Sequence, residues 1–151
     1  VGEIVLKGPN IFSGYWNKPE ETEEAMRGGW FHTGDLGRRD EEGFLYIVGR
    51  KVELIISSGE NIYPTEVEKA VTSLPEVKEA AAIGMPDPKR GEVVCAFVVL
   101  DEKKEITEEE IVDRLFGKIA NFKIPKKFFF VEELPKNASG KILKKELKKM
   151  L

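Results

Sequence analysis

Three short stretches carry side chains whose type and spacing suit chemistry on an anionic ligand. In the first, Gly49-Arg50 leads into Glu53–Ile56, then Ser57-Ser58-Gly59, then Pro64. Glu53–Ile56 suits a buried strand. The serines and glycine suit a turn, with Gly59 free to take backbone angles closed to other residues. Pro64 suits the first turn of a helix. Together they predict an arginine and a backbone loop at one shared edge, a possible anion site. Asp35, between Gly34 and Leu36, is a carboxylate on a glycine-supported turn, able to accept two hydroxyl hydrogen bonds, as on a ribose. On the residues alone, a turn aspartate capping its own backbone is the simpler reading. For Arg50 the planar guanidinium suits ribose or phosphate oxygens, and a surface ion pair is the plainer alternative. Lys141 follows Ser139-Gly140 and is either a cation poised on a tight turn or one more solvated member of a lysine-rich tail with Lys136, Lys144, Lys145, Lys148 and Lys149.

The elements that must position these residues follow from the patterning. Val1–Val5 alternates and reads as a strand that opens without a start signal, as if continued from something larger. Pro19–Met26 reads as a short acidic helix stopped by Gly28-Gly29. Leu36–Arg39 and Phe44–Val48 read as a hairpin around Asp40-Glu41-Glu42-Gly43. Fifty residues of this kind bury little surface alone. From Lys51 onward the pattern is that of a complete small domain. It comprises a helix over Pro64–Leu74, strands over Val77–Met85 and Glu92–Leu100, a helix capped by Thr107 with Glu110 at capping-box spacing and with Ile111, Leu115 and Ile119 repeating every four residues, a strand over Lys127–Val131, and a basic terminal helix over Ile142–Leu151. Trp16 and Trp30 read as core aromatics, and Glu66 and Glu68 as helix-surface carboxylates.

Of the 151 residues 41% are hydrophobic, enough for a globular core, and the net charge of −3 gives no global drive toward nucleic acid or membrane. No apolar run of about 18 residues predicts a transmembrane helix. Cys95 is the only cysteine and sits in an apolar run, so it reads as a core residue, and no internal disulfide is possible. A single histidine, His32, and no cysteine cluster argue against a metal site.

Gly29-Trp30-Phe31-His32-Thr33-Gly34-Asp35-Leu36-Gly37, the Gly49–Glu68 stretch and Pro135-Lys136-Asn137-Ala138-Ser139-Gly140-Lys141-Ile142-Leu143-Lys144 occur in this order. Gly14-Tyr15-Trp16-Asn17-Lys18-Pro19-Glu20 and Pro86-Asp87-Pro88 with Gly91-Glu92 fit the same pattern. Across essentially the whole chain they resemble the carboxyl-terminal signature of the adenylate-forming superfamily, and most closely its acyl-CoA synthetases. The resemblance implies an α+β fold: a small C-terminal domain, residues 51–151, with a short, mostly antiparallel sheet flanked by helices. It also implies that residues 1–50 are short β segments closing a large amino-terminal adenylation domain whose greater part lies upstream. The activity implied is adenylation of a carboxylic acid with ATP and Mg²⁺, then acyl transfer to CoA, served by rotation of the small domain. Gly59-Glu60-Asn61-Ile62-Tyr63-Pro64 is similar to fatty-acid members, so a fatty acid is the expected substrate, with amino-acid and aryl substrates left open, in a cytoplasmic enzyme.

The resemblance places Asp35 and Arg50 on the nucleotide and AMP, Lys141 at adenylate formation, and Ser58 and Gly59 along the CoA path. It places the rotation hinge at Val52 or Glu53; Val52 departs from the family, which usually has Asp or Lys there. Without the upstream partner domain the chain alone is expected to be inactive, and its first fifty residues to be poorly ordered or to self-associate through strand edges. The competing reading is an interaction module using the basic tail from Lys126 to Lys149. That tail lacks interleaved aromatics after Phe130, and the negative net charge points away from nucleic acid.

Overall fold

The computed structural model describes residues 1–151. The chain divides into two compact units, Val1–Val52 and Glu53–Leu151.

The first unit is a three-stranded antiparallel sheet in the order β1-β2-β3, made of β1 (Gly2–Leu6), β2 (Phe31–Arg39) and β3 (Leu45–Arg50), with a short helix α1 (Pro19–Ala25). The central strand β2 begins earlier than the hairpin expectation, so most of the glycine-rich motif lies on a strand. Its two glycines look like turn signals but serve as strand irregularities. The β1–β2 register shifts between Glu3 and Val5, and there Gly34 takes φ +73°, so the predicted turn at Asp35 is a bulge inside β2. Gly37 is flanked by Ile4 and Leu45, either of which would press on a Cβ at 3.0–3.2 Å. Little else is buried in so small a unit: Phe44, Leu45, Tyr46 and Ile47 are all exposed. Trp16 is 89% exposed and Trp30 is also exposed, so neither is the core aromatic expected of it.

The second unit is α+β. Its five-stranded sheet runs β5-β4-β7-β6 with β8 also paired to β7, and contains β4 (Ile55–Ser57), β5 (Glu60–Ile62), β6 (Val77–Asp87), β7 (Gly91–Leu100) and β8 (Lys127–Phe130). All pairings are antiparallel except β7–β8. The helices are α2 (Pro64–Thr72), α3 (Glu108–Leu115) and α4 (Lys144–Lys148). Strand β7 explains its own continuous apolar run. Val94, Ala96 and Val98 pack on one face with Val67 and Val71 of α2 and Ile111 and Leu115 of α3. Cys95, Phe97 and Val99 pack on the other with Leu134 and Leu147 of α4. A strand covered on both faces has no solvent side to alternate toward. Phe97 stacks on Phe129 of β8 with ring centroids 4.8 Å apart.

Strand β6 continues through Pro86 to Asp87, past the predicted stop, because it is an edge strand with one side free of ladder donors. Thr107 closes the expected capping box: its Oγ1 accepts from Glu110 N at 3.2 Å, and Glu110 Oε2 accepts from Thr107 N at 2.9 Å. Two expectations shorten. Helix α3 stops at Leu115, leaving Ile119 in the following turn, and the terminal helix is only Lys144–Lys148, with Leu147 its sole buried side chain. A short helix of lysines with one apolar anchor has little to propagate it.

Candidate functional site

In the first unit Asp35 and Arg50 face each other across β2 and β3, in register. Arg50 Nη1 donates to Asp35 Oδ1 at 2.7 Å. Asp35 therefore does not cap its own turn. Its backbone N–H instead donates to Thr33 Oγ1 at 3.1 Å, and that hydroxyl donates to the Ile4 carbonyl at 2.8 Å, which fastens the bulge to β1. Both side chains stay partly exposed, Arg50 45% and Asp35 28%, an acceptor beside donors on β2 and the edge strand β3. An exposed pair of this kind is worth at most about 1 kcal/mol, so a hydroxyl-bearing anion can compete for both partners.

Close by in the same unit is a cluster with no signal in the sequence. Glu3 Oε2 receives Arg27 Nη2 at 3.0 Å, His32 Nδ1 at 3.1 Å and Lys51 Nζ at 3.3 Å. A carboxylate only accepts, which assigns the proton to Nδ1. The His32 hydrogen bond, set against partial desolvation and joined by Lys51, pulls the Glu3 carboxyl down to about 2. Glu3, Thr33, Gly34 and Lys51 border an open cavity of about 530 Å³ with Tyr15 and Lys18.

In the second unit Ser58 and Gly59 join β4 to β5. Both have positive φ, +52° and +84°, the conformation of a tight type I′ hairpin turn. Gly59 is needed for that angle and not for space, since nothing lies within 4 Å of a Cβ built on it. Ser57 is buried beneath the turn, whereas Ser58 and Gly59 are exposed. Two contacts hold this hairpin to β7 and the residue before it: Ser58 N donates to the Arg90 carbonyl at 2.8 Å, and Ile56 N of β4 donates to Glu92 Oε2 at 3.0 Å. The Glu92 carboxylate lies over Gly84 of β6, in space that a Cβ there would fill.

Lys141 sits on a turn organised by Asn137. Asn137 Oδ1 accepts from Ser139 N at 3.1 Å, Ser139 Oγ at 2.8 Å and Lys141 N at 2.8 Å. Asn137 N donates to the Lys141 carbonyl at 2.9 Å, and Gly140 takes φ +80°. The Lys141 side chain is exposed, with no carboxylate at ion-pair distance, unlike Lys136, Lys144 and Lys149 of the same tail. Its backbone is ordered while its charge is free. An Asn two residues before Ser-Gly is an Asx-turn signal, but nothing local marks Asn137 as the hub of three hydrogen bonds.

At the boundary of the units Val52 is 84% exposed. Glu53 lies in a 3-10 turn instead of the predicted strand, and its Oε2 is 2.7 Å from Lys144 Nζ. Glu66 pairs with Lys123 at 2.7 Å. Glu68, expected on the surface, is half-buried between Lys144 Nζ at 2.8 Å and the Ala82 N–H at 2.9 Å. His32 is engaged by Glu3, and no three His, Cys, Asp or Glu side chains converge anywhere in the chain. No helix is long and apolar enough to cross a membrane.

A family model described as the AMP-binding enzyme C-terminal domain matches residues 66–141. The 2-succinylbenzoate–CoA ligase of Bacillus mycoides (strain KBAB4) is 53% identical over 150 residues, which are 99% of this chain and 31% of that protein. The solved o-succinylbenzoate CoA synthetase of Bacillus subtilis, in complex with its acyl-adenylate intermediate, superposes with TM-score 0.91 at 47% identity, covering 97% of this chain and 30% of that one. The Mycobacterium tuberculosis fatty acyl CoA synthetase gives TM-score 0.70 at 46% identity, over 99% of this chain and 30% of that one. The chain thus spans about 31% of the length of the curated relatives it matches. The narrower expectation of a fatty-acid enzyme is not supported, since these curated relatives are named for 2-succinylbenzoate. The fold, the order of the motifs and the matched family model agree, and the chain belongs to the family of AMP-binding enzyme C-terminal domains.

Proposed function

We propose that this chain is the carboxyl-terminal part of an AMP-forming acid–CoA ligase. In the first half-reaction a carboxylate oxygen bonds to the α-phosphorus of ATP and pyrophosphate leaves. In the second the CoA sulfur bonds to the acyl carbon, the thiol proton is lost and AMP leaves. Both reactants of the first step are anions, so a cation free of internal partners is what that step lacks. The observation that carries the reading is Lys141: an unpaired ammonium on a backbone held by Asn137. Such a group contributes chiefly by position and charge.

Asp35 and Arg50 hold the ribose or phosphate oxygens of the nucleotide, exchanging their mutual bond for the ligand. The Ser58-Gly59 turn borders the CoA path. Residues 1–52 are the closing strands of the adenylation domain, and the exposed Val52 is the pivot, with Glu53 moving as part of the second unit. Mg²⁺ is expected to accompany ATP. No ligand cluster for it converges in this chain, so no step is assigned through it.

The acid is an aryl acid of the 2-succinylbenzoate kind. The names of the curated relatives support this, whereas the residues here do not choose it. Enzymes named for succinylbenzoate and for fatty acyl groups match the chain at 47% and 46% identity, so this region is shared across acids. No observation favours the basic tail as a polyanion site, because Lys136, Lys144 and Lys149 already pair with Glu79, Glu53 and Glu146. The test is acid-dependent exchange of labelled pyrophosphate into ATP by the parent enzyme. Exchange with 2-succinylbenzoate and not with palmitate is expected. Exchange with palmitate alone would restore the fatty-acid assignment, and exchange with no carboxylic acid would refute the ligase reading.

A further inference from the structure

Lys144 differs from the other lysines of the tail. Its side chain is only 15% exposed, and its Nζ lies 2.7 Å from Glu53 Oε2 and 2.8 Å from Glu68 Oε1. The same Glu68 oxygen accepts the Ala82 N–H at 2.9 Å. One ammonium therefore joins the first residue of the second unit, the second turn of α2, the middle of β6 and the start of α4. Half-buried charges hold such a place only when matched, and removing one partner leaves the others uncompensated. Lys144 also lies three residues beyond Lys141. Between them Ile142 packs against the core beneath α4, and Leu143 N donates to the Pro135 carbonyl at 2.8 Å. On the other side of the turn Lys136 is tied to Glu79 of β6 at 2.7 Å. The turn that carries Lys141 is thus pinned at both ends, and only the Lys144 end reaches Glu53, the first residue of the second unit.

We propose that Lys144 is a positioning residue: the Glu53–Lys144–Glu68 triad fixes the turn bearing Lys141 and locks Glu53 into the second unit. The kinetic half of this inference rests on the adenylating role given to Lys141 above; the structural half does not. Both partners of Lys144 Nζ are carboxylates of this chain, so its loss acts through the placement of Lys141. A reacting group displaced by about 1 Å costs on the order of 100-fold in rate.

The test uses Lys144→Met, Lys144→Arg and the gentler Glu53→Gln in the parent enzyme, each alone and combined with Lys141→Ala. Lys144→Met should lower kcat for adenylate formation by about 10- to 100-fold with little change in KM for ATP. Lys144→Arg should recover most of that loss, because a guanidinium also bridges two carboxylates. Glu53→Gln should fall between, and it decides the matter if Lys144→Met does not fold. In the Lys141→Ala background Lys144→Met should have no further effect, since the group it positions is already gone. Additive losses, or equal losses in adenylation and thioester formation, would overturn the proposal. If Lys141→Ala leaves adenylation intact, the functional reading fails and amide exchange decides the structural half. Faster exchange at Asn137 and Leu143 in Lys144→Met supports the clamp, and unchanged exchange refutes it.

Discussion

Replacing Gly84 with alanine should destabilise the second unit in the natural sequence and stabilise it once Glu92 is gone. A Cβ at Gly84 would lie 2.5 Å from Glu92 Oε1 and 2.8 Å from its Cδ, too close for either to remain. The carboxylate must withdraw, and its bond to Ile56 N–H at 3.0 Å goes with it. A hydrogen bond to a charged acceptor is worth about 1.5–3 kcal/mol. Ile56 is exposed, so water can replace part of that, and the lower end applies. Against the loss, alanine for glycine at backbone angles it tolerates gains about 0.4–1 kcal/mol from the unfolded chain. The single variant should therefore lose about 1 kcal/mol, and in a Glu92→Ala background the same change should gain about half that or more. Thermal melts by far-ultraviolet circular dichroism resolve this, since 1 kcal/mol moves the midpoint of a unit of roughly 100 residues by about 4–8 °C. Trp16 and Trp30 both lie in the first unit, so their fluorescence is an internal control that should not move. A shift of the same sign and size in both backgrounds would show that the Glu92 carboxylate does not occupy the Gly84 cleft.

Two further outcomes are expected. Thr107→Ala removes one bond of the capping box on α3 and should cost about 1 kcal/mol, with Thr107→Ser nearly neutral; equal melting points for all three would contradict the cap. Glu3 titrates at about 2 in the folded chain against an ordinary 4.5. A depressed folded value stabilises above the unfolded one and is lost as pH falls through the folded one. The advantage of the natural chain over Glu3→Gln in urea unfolding, followed at Trp30, should be full above about pH 4.5 and fade toward pH 2. An advantage constant over that range would contradict it.

Local chemistry made much of the fold readable from residues alone. The Thr107 capping box, the Ser58-Gly59 turn and the apolar strand β7 are each written within about ten residues. Misreadings arose where one residue type serves two structures. Gly34 looks like a turn and is a bulge within β2. The lysines after Ile142 look helical, but only Leu147 anchors them. Trp16 is apolar in type yet exposed, in a unit too small to cover it. Asp35, Arg50, Lys141 and Gly59 were nameable because each sits in a short motif. Their partners were not: Lys144 meets Glu53 across 91 residues and Lys51 meets Glu3 across 48, and nothing local encodes such pairings.

Lys141→Ala in the parent enzyme, with the two half-reactions measured separately, tests most directly whether an unpaired lysine on an ordered turn supplies the charge for adenylation. Adenylate formation should fall by about 10²–10³-fold, the size of losing one preorganised electrostatic contact. Thioester formation from supplied acyl-adenylate and CoA should keep its rate. Equal losses in both half-reactions, or an adenylation rate that does not change, would contradict the account.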